Sequence, residues 1–144
     1  MKQQPLTETE RWQLVDYRLQ RAEEALAETD SLIKSNFYNA AVNRLYYACY
    51  YAVIALLIKH NITAQTHKGV KQMFSLHFAA NGKIEKRYSI FYGRLFNDRI
   101  SSDYDDFVQY DEEMIAELRP QAEEFIVMVK NKLTTGTEID TITR

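Results

Sequence analysis

The residues of this sequence that are best suited to chemistry lie at the front of one uncharged segment, residues 45–58. Arg44 stands directly before that segment, and Tyr47 and Tyr51 follow within it. On a helix, Arg44 and Tyr51 fall close to one line, two turns and about 10 Å apart, with the small side chain of Ala48 between them. A guanidinium group and a phenol hydroxyl group so arranged could hold one anionic group, such as a phosphate.

A purely structural role accounts for the same two residues equally well. Arg44 could form an ion pair with an acidic residue of the preceding helix, and the Tyr51 hydroxyl group could donate to a backbone carbonyl oxygen. The spacing of the two residues favours neither interpretation, so both remain open at this point.

Arg99 is a second arginine in an unusual position. It lies four residues beyond Leu95, on the continuation of an apolar stripe that also contains Tyr88 and Phe91. A charge on an inward-facing line needs a partner, because leaving it buried and unpaired is costly. Asp103, four residues further on, is one candidate partner for a salt bridge, and a ligand-binding role for Arg99 is an equally good interpretation; the two are compatible.

Several kinds of catalytic and metal site find no support in the sequence. It contains no Gly-rich phosphate loop, no His-Glu-x-x-His motif and no Cys-x-x-Cys pair. The histidines His60, His67 and His77 are not spaced as ligands on one helical face. The single cysteine, Cys49, lies in the uncharged segment, where a small core residue with an inert thiol is expected. We therefore expect no metal site and no cofactor.

Charge is distributed unevenly along the chain, although the formal net charge is only −2. Residues 66–99 contain seven Lys or Arg against two acidic residues, whereas residues 100–125 contain nine Asp or Glu against one Arg. Such a separation can steer a partner or a polyanion toward the basic part. No dense basic tract with interleaved aromatic residues demands nucleic acid, so the signal is modest.

Length and composition indicate one soluble domain. The chain has 144 residues, of which 46% are hydrophobic and 26% charged, and this is enough to form one core. The uncharged segment has 14 residues, whereas a helix that spans a membrane needs about 20. The polar start MKQQPLTETE lacks the pattern of a signal peptide, and a single cysteine fits a reducing compartment. We expect a cytoplasmic protein without a membrane segment.

Helix signals dominate the chain. Thr7 and Glu10 have the spacing of a capping box, and the apolar residues that follow predict a first helix to about Lys34, with Asn36 as a left-handed terminator. The second helix should run from about residue 37 to 60. It is apolar on nearly all sides, which is typical of the central helix of a bundle.

Three further helices are expected in the second half of the chain. Thr66 can cap a third helix that ends at Gly82, and the stripe before Arg99 belongs to a fourth helix that fades in SSDYDDF. Asp111 caps the last helix, in which Pro120 should cause a kink or a break.

The connections between these helices are short, so neighbouring helices should pack antiparallel. The sequence therefore predicts an all-α, antiparallel up-and-down bundle of four to five helices. We expect this single domain to occupy residues 1–134 and to be followed by a flexible tail, residues 135–144.

Three segments carry a resemblance to a known family. They are SNFYNAAVNRLYYACYYAVIALL, THKGVKQMF and LFNDRISSDY, which in this order and spacing resemble the HEPN family of helical domains in bacteria and archaea. The resemblance implies a compact bundle that usually forms a dimer through its long helices. HEPN domains either bind nucleotides or nucleic acid beside a small nucleotidyltransferase, or cut RNA as toxins and defence effectors.

The family's RNA-cutting members use an arginine followed, after four to six residues, by a histidine. Two copies of this motif meet across the dimer to form a metal-independent site. Arg44 matches the arginine, but the histidine is missing, and Tyr51 stands seven residues after Arg44. A phenol with a pKa of about 10 is poorly suited to proton transfer near neutral pH, whereas an imidazole is well suited.

This departure favours a binding module over a nuclease. The resemblance then implies a nucleotide-binding or nucleic-acid-binding accessory module, partner of a small nucleotidyltransferase in a toxin–antitoxin-like system. A metal-independent ribonuclease remains the alternative, with Arg44 and His67 as its candidate catalytic residues. A purely structural subunit, for dimerisation or another interaction, is the second alternative, because tyrosines are also favoured at interfaces.

The predicted ligand site is a polar cleft near the axis of a homodimer. A nucleotide or RNA is its expected ligand, and no membrane is expected as a partner. The candidate ligand-binding residues are Arg44, Tyr47, Tyr51, His67, Arg99, Asp103 and Tyr104.

Overall fold

Five α-helices make up most of the chain in this computed structural model, which describes the backbone of residues 5–143 and the side chains of residues 5–134. No strand occurs within that part of the chain, and the predicted all-α bundle of antiparallel helices is confirmed. The helices are α1 (Glu8–Lys34), α2 (Tyr38–Lys59), α3 (His67–Phe74), α4 (Lys86–Tyr104) and α5 (Glu112–Thr143).

The ends of the helices follow local sequence signals. The Thr7 hydroxyl group accepts from the Glu10 backbone N–H at 3.1 Å, and the Glu10 carboxylate accepts from the Thr7 N–H at 2.9 Å, which completes the capping box. Thr66 caps α3 by accepting from Gly69 N–H at 2.9 Å. Beyond the end of α1, Asn36 is left-handed, with φ of 64°, as predicted.

Helix α2 lies at the centre of the bundle and packs against α1, α4 and α5. Half of its residues are buried, and several of them, including Ala48, Ala52 and Ala55, are small enough to let neighbouring helices approach closely. By length and composition α2 could span a membrane, yet 61% of its most apolar window is buried inside the bundle. This burial is what the core helix of a soluble bundle requires.

Aromatic rings join α2 to α4 and α5. The ring of Tyr92, on α4, stacks on Tyr46 of α2 at 5.8 Å between centroids and on Phe125 of α5 at 5.7 Å. All three side chains are buried. Because large buried rings contribute strongly to core packing, this stack fixes the position of α4 relative to α2, and therefore the position of Arg99.

Polar contacts complete the positioning of the outer elements. Arg119 of α5 donates two hydrogen bonds to the Asp30 carboxylate of α1, at 2.8 and 3.0 Å. The connection between α4 and α5 is held on α2 by Asn39, whose amide donates to Val108 O at 3.1 Å and accepts from Tyr110 N–H at 2.8 Å.

Two features of the second half differ from expectation. A π-helical turn, Ser75–Ala79, continues α3, and no signal in the sequence predicted it. Helix α5 runs through Pro120 without the predicted break, and Ala116, whose carbonyl oxygen loses its helical donor at Pro120, is exposed to solvent. The alternative outcome, a kink at Pro120, stays a prediction. The backbone is helical through residues 135–143, where we predicted a flexible tail; its flexibility stays a prediction, and Arg144 lies outside the described residues.

Candidate functional site

Arg44 lies on the flank of α2 that faces α1. Its Nε lies 3.3 Å from Glu28 Oε2, and its guanidinium group lies 5.1 Å from the centroid of the Tyr47 ring. The ion pair expected from the structural interpretation is therefore present. It is poorly aligned, however, because the buried Nε makes no hydrogen bond to any described residue. Arg44 keeps donors that a ligand could use.

Tyr51 lies on the same side of α2 as Arg44, and Tyr47 connects them. The Tyr47 and Tyr51 rings are 5.9 Å apart between centroids. The structural interpretation expected the Tyr51 hydroxyl group to bond to a backbone carbonyl oxygen. The hydroxyl group instead accepts a hydrogen bond from Arg21 Nη2 at 3.4 Å. The Arg21 guanidinium group also lies 5.2 Å from the centroid of the Tyr51 ring. The two predicted residues thus share one surface.

His67, the first residue of α3, reaches this surface from a different helix. Its Nδ1 lies 2.8 Å from the Tyr46 hydroxyl oxygen, and its ring stacks on Tyr50 at 4.5 Å between centroids. The Tyr47 ring meets His67 edge-on at 5.6 Å. The cap provided by Thr66 fixes where α3 begins, so the local sequence determines the position of the imidazole.

Burial favours the uncharged forms of three titratable side chains in this region, Tyr46, Tyr50 and His67. Burial lowers the pKa of His67, and the positive charge of Arg99 lowers it further. Burial raises the pKa of Tyr46 to about 12 and raises the pKa of Tyr50 as well. The Tyr46 and Tyr50 phenols therefore stay protonated and cannot act as bases at neutral pH.

Arg99 approaches the same cluster from α4. Its guanidinium group lies 4.9 Å from the centroid of the Tyr46 ring, and its Nε is buried without a hydrogen-bond partner in the described part of the chain. The expected Arg99–Asp103 salt bridge was wrong. Asp103 instead accepts from Asn43 Nδ2 at 2.9 Å, because the last turn of α4 turns this carboxylate toward α2.

Tyr104, the last residue of α4, is 76% exposed. The described side chains include no ring contact between Tyr104 and the tyrosines of α2. Ring and cation–π contacts therefore bring together Arg44, Tyr47, Tyr51, His67 and, through Tyr46, Arg99. Within the described residues, neither Asp103 nor Tyr104 makes such a contact with them. Their role in ligand binding stays a prediction.

Four further side chains, which no pattern in the sequence singled out, support or extend this surface. Tyr46 and Tyr50 hold His67, and Arg21 contacts Tyr51. Arg18 lies close enough to Tyr50 for its charge to oppose the burial-driven rise in the pKa of that phenol. We define the arginine–tyrosine face as Arg18, Arg21, Arg44, Tyr47, Tyr50, Tyr51, His67 and Arg99.

Other possible sites lie away from this face. Within residues 5–134, no group of three or more His, Cys, Asp or Glu side chains is arranged to hold a metal ion. An apolar hollow of about 490 Å³ lies between α1 and α5 and is lined by Trp12, Val15, Leu19 and Leu133, among others. It contains none of the predicted site residues.

Comparison with protein-family models matches residues 15–132 to the HEPN domain. The match includes all five helices apart from the outer ends of α1 and α5. The chain belongs to the HEPN family. The resemblance seen in the sequence is confirmed.

Curated relatives of this HEPN domain come from bacteria and archaea. A "UPF0332 protein" of Thermotoga maritima is 35% identical over 117 residues, which cover 81% of this chain and 89% of the relative. A protein of Methanocaldococcus jannaschii named "Putative toxin" is 34% identical over 112 residues, covering 78% of this chain and 83% of the relative. A second protein of that organism with the same description is 32% identical over 95 residues, covering 66% and 65%.

Proposed function

We propose that this HEPN domain is an accessory module that binds the phosphate group of a nucleotide or nucleic acid on the arginine–tyrosine face. One observation carries the proposal. The Nε atoms of Arg44 and Arg99 are buried and make no hydrogen bond to the described residues, although Arg44 Nε lies 3.3 Å from Glu28 Oε2. Buried donors without hydrogen bonds are costly, and an anion that reached either guanidinium group would supply the missing acceptor.

The tyrosines explain why a nucleotide fits better than inorganic phosphate. Tyr47, Tyr50 and Tyr51 are only partly buried, and their rings contact one another at 5.8 to 5.9 Å between centroids. A base can stack on such rings whatever its sequence, and stacking stabilises binding by about 1–3 kcal/mol per base. Their hydroxyl groups can in addition donate hydrogen bonds to phosphate or sugar oxygens.

Binding is favoured over catalysis because of what surrounds the only histidine on this face. His67 Nδ1 is engaged with the Tyr46 hydroxyl group, and the position seven residues after Arg44 holds Tyr51 rather than a histidine. One ring nitrogen of His67 is thus already committed within the fold. Arg44 and Arg99 can hold an anion without any proton transfer.

The proposed setting follows from the family. Membership of the family implies either work beside a small nucleotidyltransferase or RNA cleavage, and two relatives of this chain carry a toxin name. We therefore propose a cytoplasmic homodimer that pairs with a nucleotidyltransferase in a toxin–antitoxin-like system. Affinity capture from the native host, followed by identification of bound proteins and nucleotides, tests this setting. Recovery of the chain without either would favour a purely structural subunit.

The binding proposal is tested by calorimetric titration of the purified chain with AMP, ATP and a short single-stranded RNA. We expect Arg44→Gln to weaken binding about tenfold, the effect of losing one charge-assisted hydrogen bond. Arg87→Gln is the matched control, since it removes the same charge from α4, where Arg87 pairs with Glu85 and Glu124. Equal losses in both variants, or no binding by the unmodified chain, would contradict the proposal.

A metal-independent ribonuclease is the second candidate function. It is favoured by the toxin names of the relatives and by the uncharged imidazole of His67 on a face that holds arginines. The test is RNA cleavage in the presence of EDTA. Cleavage by the unmodified chain that is lost in both Arg44→Ala and His67→Ala would replace the binding module with this enzyme.

A further inference from the structure

Two arginines of α1, Arg18 and Arg21, belong to the arginine–tyrosine face although neither lies on α2. Arg21 and Glu28 touch α2 at Tyr51 and Arg44, so this flank of α1 faces the tyrosines. Arg18 lies one turn before Arg21 on the same flank. The charge of Arg18 acts on the pKa of Tyr50, which agrees with that position.

Arg18 has an unused donor. Its Nε is buried and has no hydrogen-bond partner in the described part of the chain, while its guanidinium carbon lies 5.6 Å from the centroid of the Tyr17 ring. A buried guanidinium donor without an acceptor costs free energy unless a ligand supplies one. Arg18 therefore has a buried Nε without a hydrogen bond, as Arg44 and Arg99 have at the other end of the face.

Arg21 adds a second charge beside Arg18. It is bound to Glu24 at 2.9 Å and donates to the Tyr51 hydroxyl group at 3.4 Å, and 35% of its side chain is exposed. The pair with Glu24 is a surface ion pair of neighbouring turns, which contributes little to stability. Arg21 can therefore give up its ion pair with Glu24 and bind a phosphate with little loss of stability.

Arg21 and Arg44 place their positive charges at two different positions along α2. Arg21 meets α2 at Tyr51, whereas Arg44 lies seven residues earlier, which is on the order of 10 Å along the helix axis. A phosphate held between Arg44 and Arg99 would leave Arg21, at the other end of this interval, available to a second phosphate. The rings of Tyr47, Tyr50 and Tyr51 occupy the interval.

We infer that Arg18 and Arg21 form a second phosphate subsite, so that the ligand of this face carries two phosphate groups on opposite sides of one nucleoside. The inference rests on the proposed function and deepens it. One phosphate lies between Arg44 and Arg99, the base stacks on the tyrosines, and the other phosphate lies at Arg18 and Arg21. A strand of nucleic acid and a free nucleoside 3′,5′-bisphosphate share this chemistry.

The test compares adenosine 3′,5′-bisphosphate with ADP, since both carry two phosphates but only the first places them on opposite sides of the nucleoside. We expect the unmodified chain to bind the bisphosphate about tenfold more tightly than ADP. Arg18→Gln should remove most of that difference, because it should weaken binding of the bisphosphate more than binding of ADP. Arg18→Lys keeps the charge and should retain part of it, and Arg87→Gln should retain all of it. Circular dichroism during heating checks that each variant is folded.

The possible outcomes separate the two proposals. If ADP binds and loses affinity in Arg44→Gln, but the bisphosphate binds no more tightly than ADP, only the second subsite is wrong. Equal weakening of both ligands by Arg18→Gln also overturns the subsite. If neither ligand binds and a five-residue RNA does not bind either, both proposals fail. A five-residue RNA, its DNA counterpart and the free bisphosphate then identify the source: higher affinity for a strand, with a salt dependence that falls in Arg18→Gln, assigns the site to nucleic acid.

Discussion

The Tyr46 hydroxyl oxygen and His67 Nδ1 lie 2.8 Å apart and join the central helix to the first residue of α3. Burial opposes the ionisation of both groups, since it raises the pKa of Tyr46 to about 12 and lowers that of His67. The hydrogen bond therefore connects two uncharged side chains at neutral pH. It also fixes the ring of His67 against Tyr50, so the imidazole has a defined orientation on the arginine–tyrosine face.

The pKa of His67 provides a first prediction. We expect NMR titration to place it below the usual value of 6.5, and we expect Arg99→Gln to raise it, because the Arg99 charge contributes to the lowering. His60 is the internal control: burial, Lys59 and Lys83 lower its pKa, and Arg99→Gln should leave it unchanged. A His67 pKa that does not respond to Arg99→Gln would contradict the position of Arg99 beside the imidazole.

The same lowering predicts how stability depends on pH. Because the folded-state pKa of His67 lies below the unfolded value, the unfolded state binds the proton first as the pH falls. The free energy of unfolding should therefore decrease as pH falls below about 6.5, and this contribution should level off below the folded-state pKa. Denaturant melts at several pH values measure it. His67→Gln should reduce the slope of the free energy of unfolding against pH and leave only the pH dependence that His60 contributes.

Cys49 should be inert in the native protein. Its side chain is fully buried in α2, and burial raises the pKa of its thiol, so little reactive thiolate is available. Ellman's reagent should react with it only as fast as the chain opens, and at once in denaturant. Rapid reaction under native conditions would mean that α2 is not the closed centre of the bundle.

The left-handed residue after α1 allows a prediction about stability. Asn36 has a φ of 64°, a region that costs ordinary side chains about 1–2 kcal/mol. Asn36→Ala should therefore lower the free energy of unfolding by about 1 kcal/mol. Asn36→Gly, which relieves the backbone but loses the hydrogen bond accepted from the Tyr38 hydroxyl group, should stay close to the unmodified protein. Similar melts for both variants would contradict this account.

Much of the fold follows from local signals that act over one helical turn. The capping box at Thr7 and Glu10, the cap at Thr66 and the terminator Asn36 each depend on hydrogen bonds or backbone angles within a few residues. The Arg44–Tyr51 arrangement also follows from spacing within one helix. These features were predictable because the relevant physics is local.

The remaining features depend on contacts between helices. Arg99 did not pair with Asp103, because Asn43 of α2 takes that carboxylate, and no spacing within α4 reveals this. Arg18 and Arg21 look like ordinary polar residues of an amphipathic helix. A weak signal exists, since they lie on the α1 flank beside the buried Ala22 and Ala25, but it becomes meaningful only when α1 is packed against the tyrosines.

The ion pair between Arg44 and Glu28 gives the sharpest functional prediction. Glu28 is half-exposed and lies 3.3 Å from Arg44 Nε, so its charge competes with a phosphate for the same guanidinium group. Glu28→Gln should tighten nucleotide binding about threefold, as expected for removing a like charge beside an anion site. It should change the free energy of unfolding by less than about 1 kcal/mol, because partly exposed ion pairs contribute little.

Glu23→Gln is the matched control for that prediction. It removes the same charge from the same helix, but Glu23 pairs with Lys130 of α5 and not with the arginine–tyrosine face. Calorimetric titration should therefore show tighter binding in Glu28→Gln and unchanged binding in Glu23→Gln, with the difference shrinking as salt screens the charges. Equal affinities in the two variants would contradict a phosphate position at Arg44, because the affinity of a phosphate held by Arg44 must depend on the carboxylate that competes for the same guanidinium group.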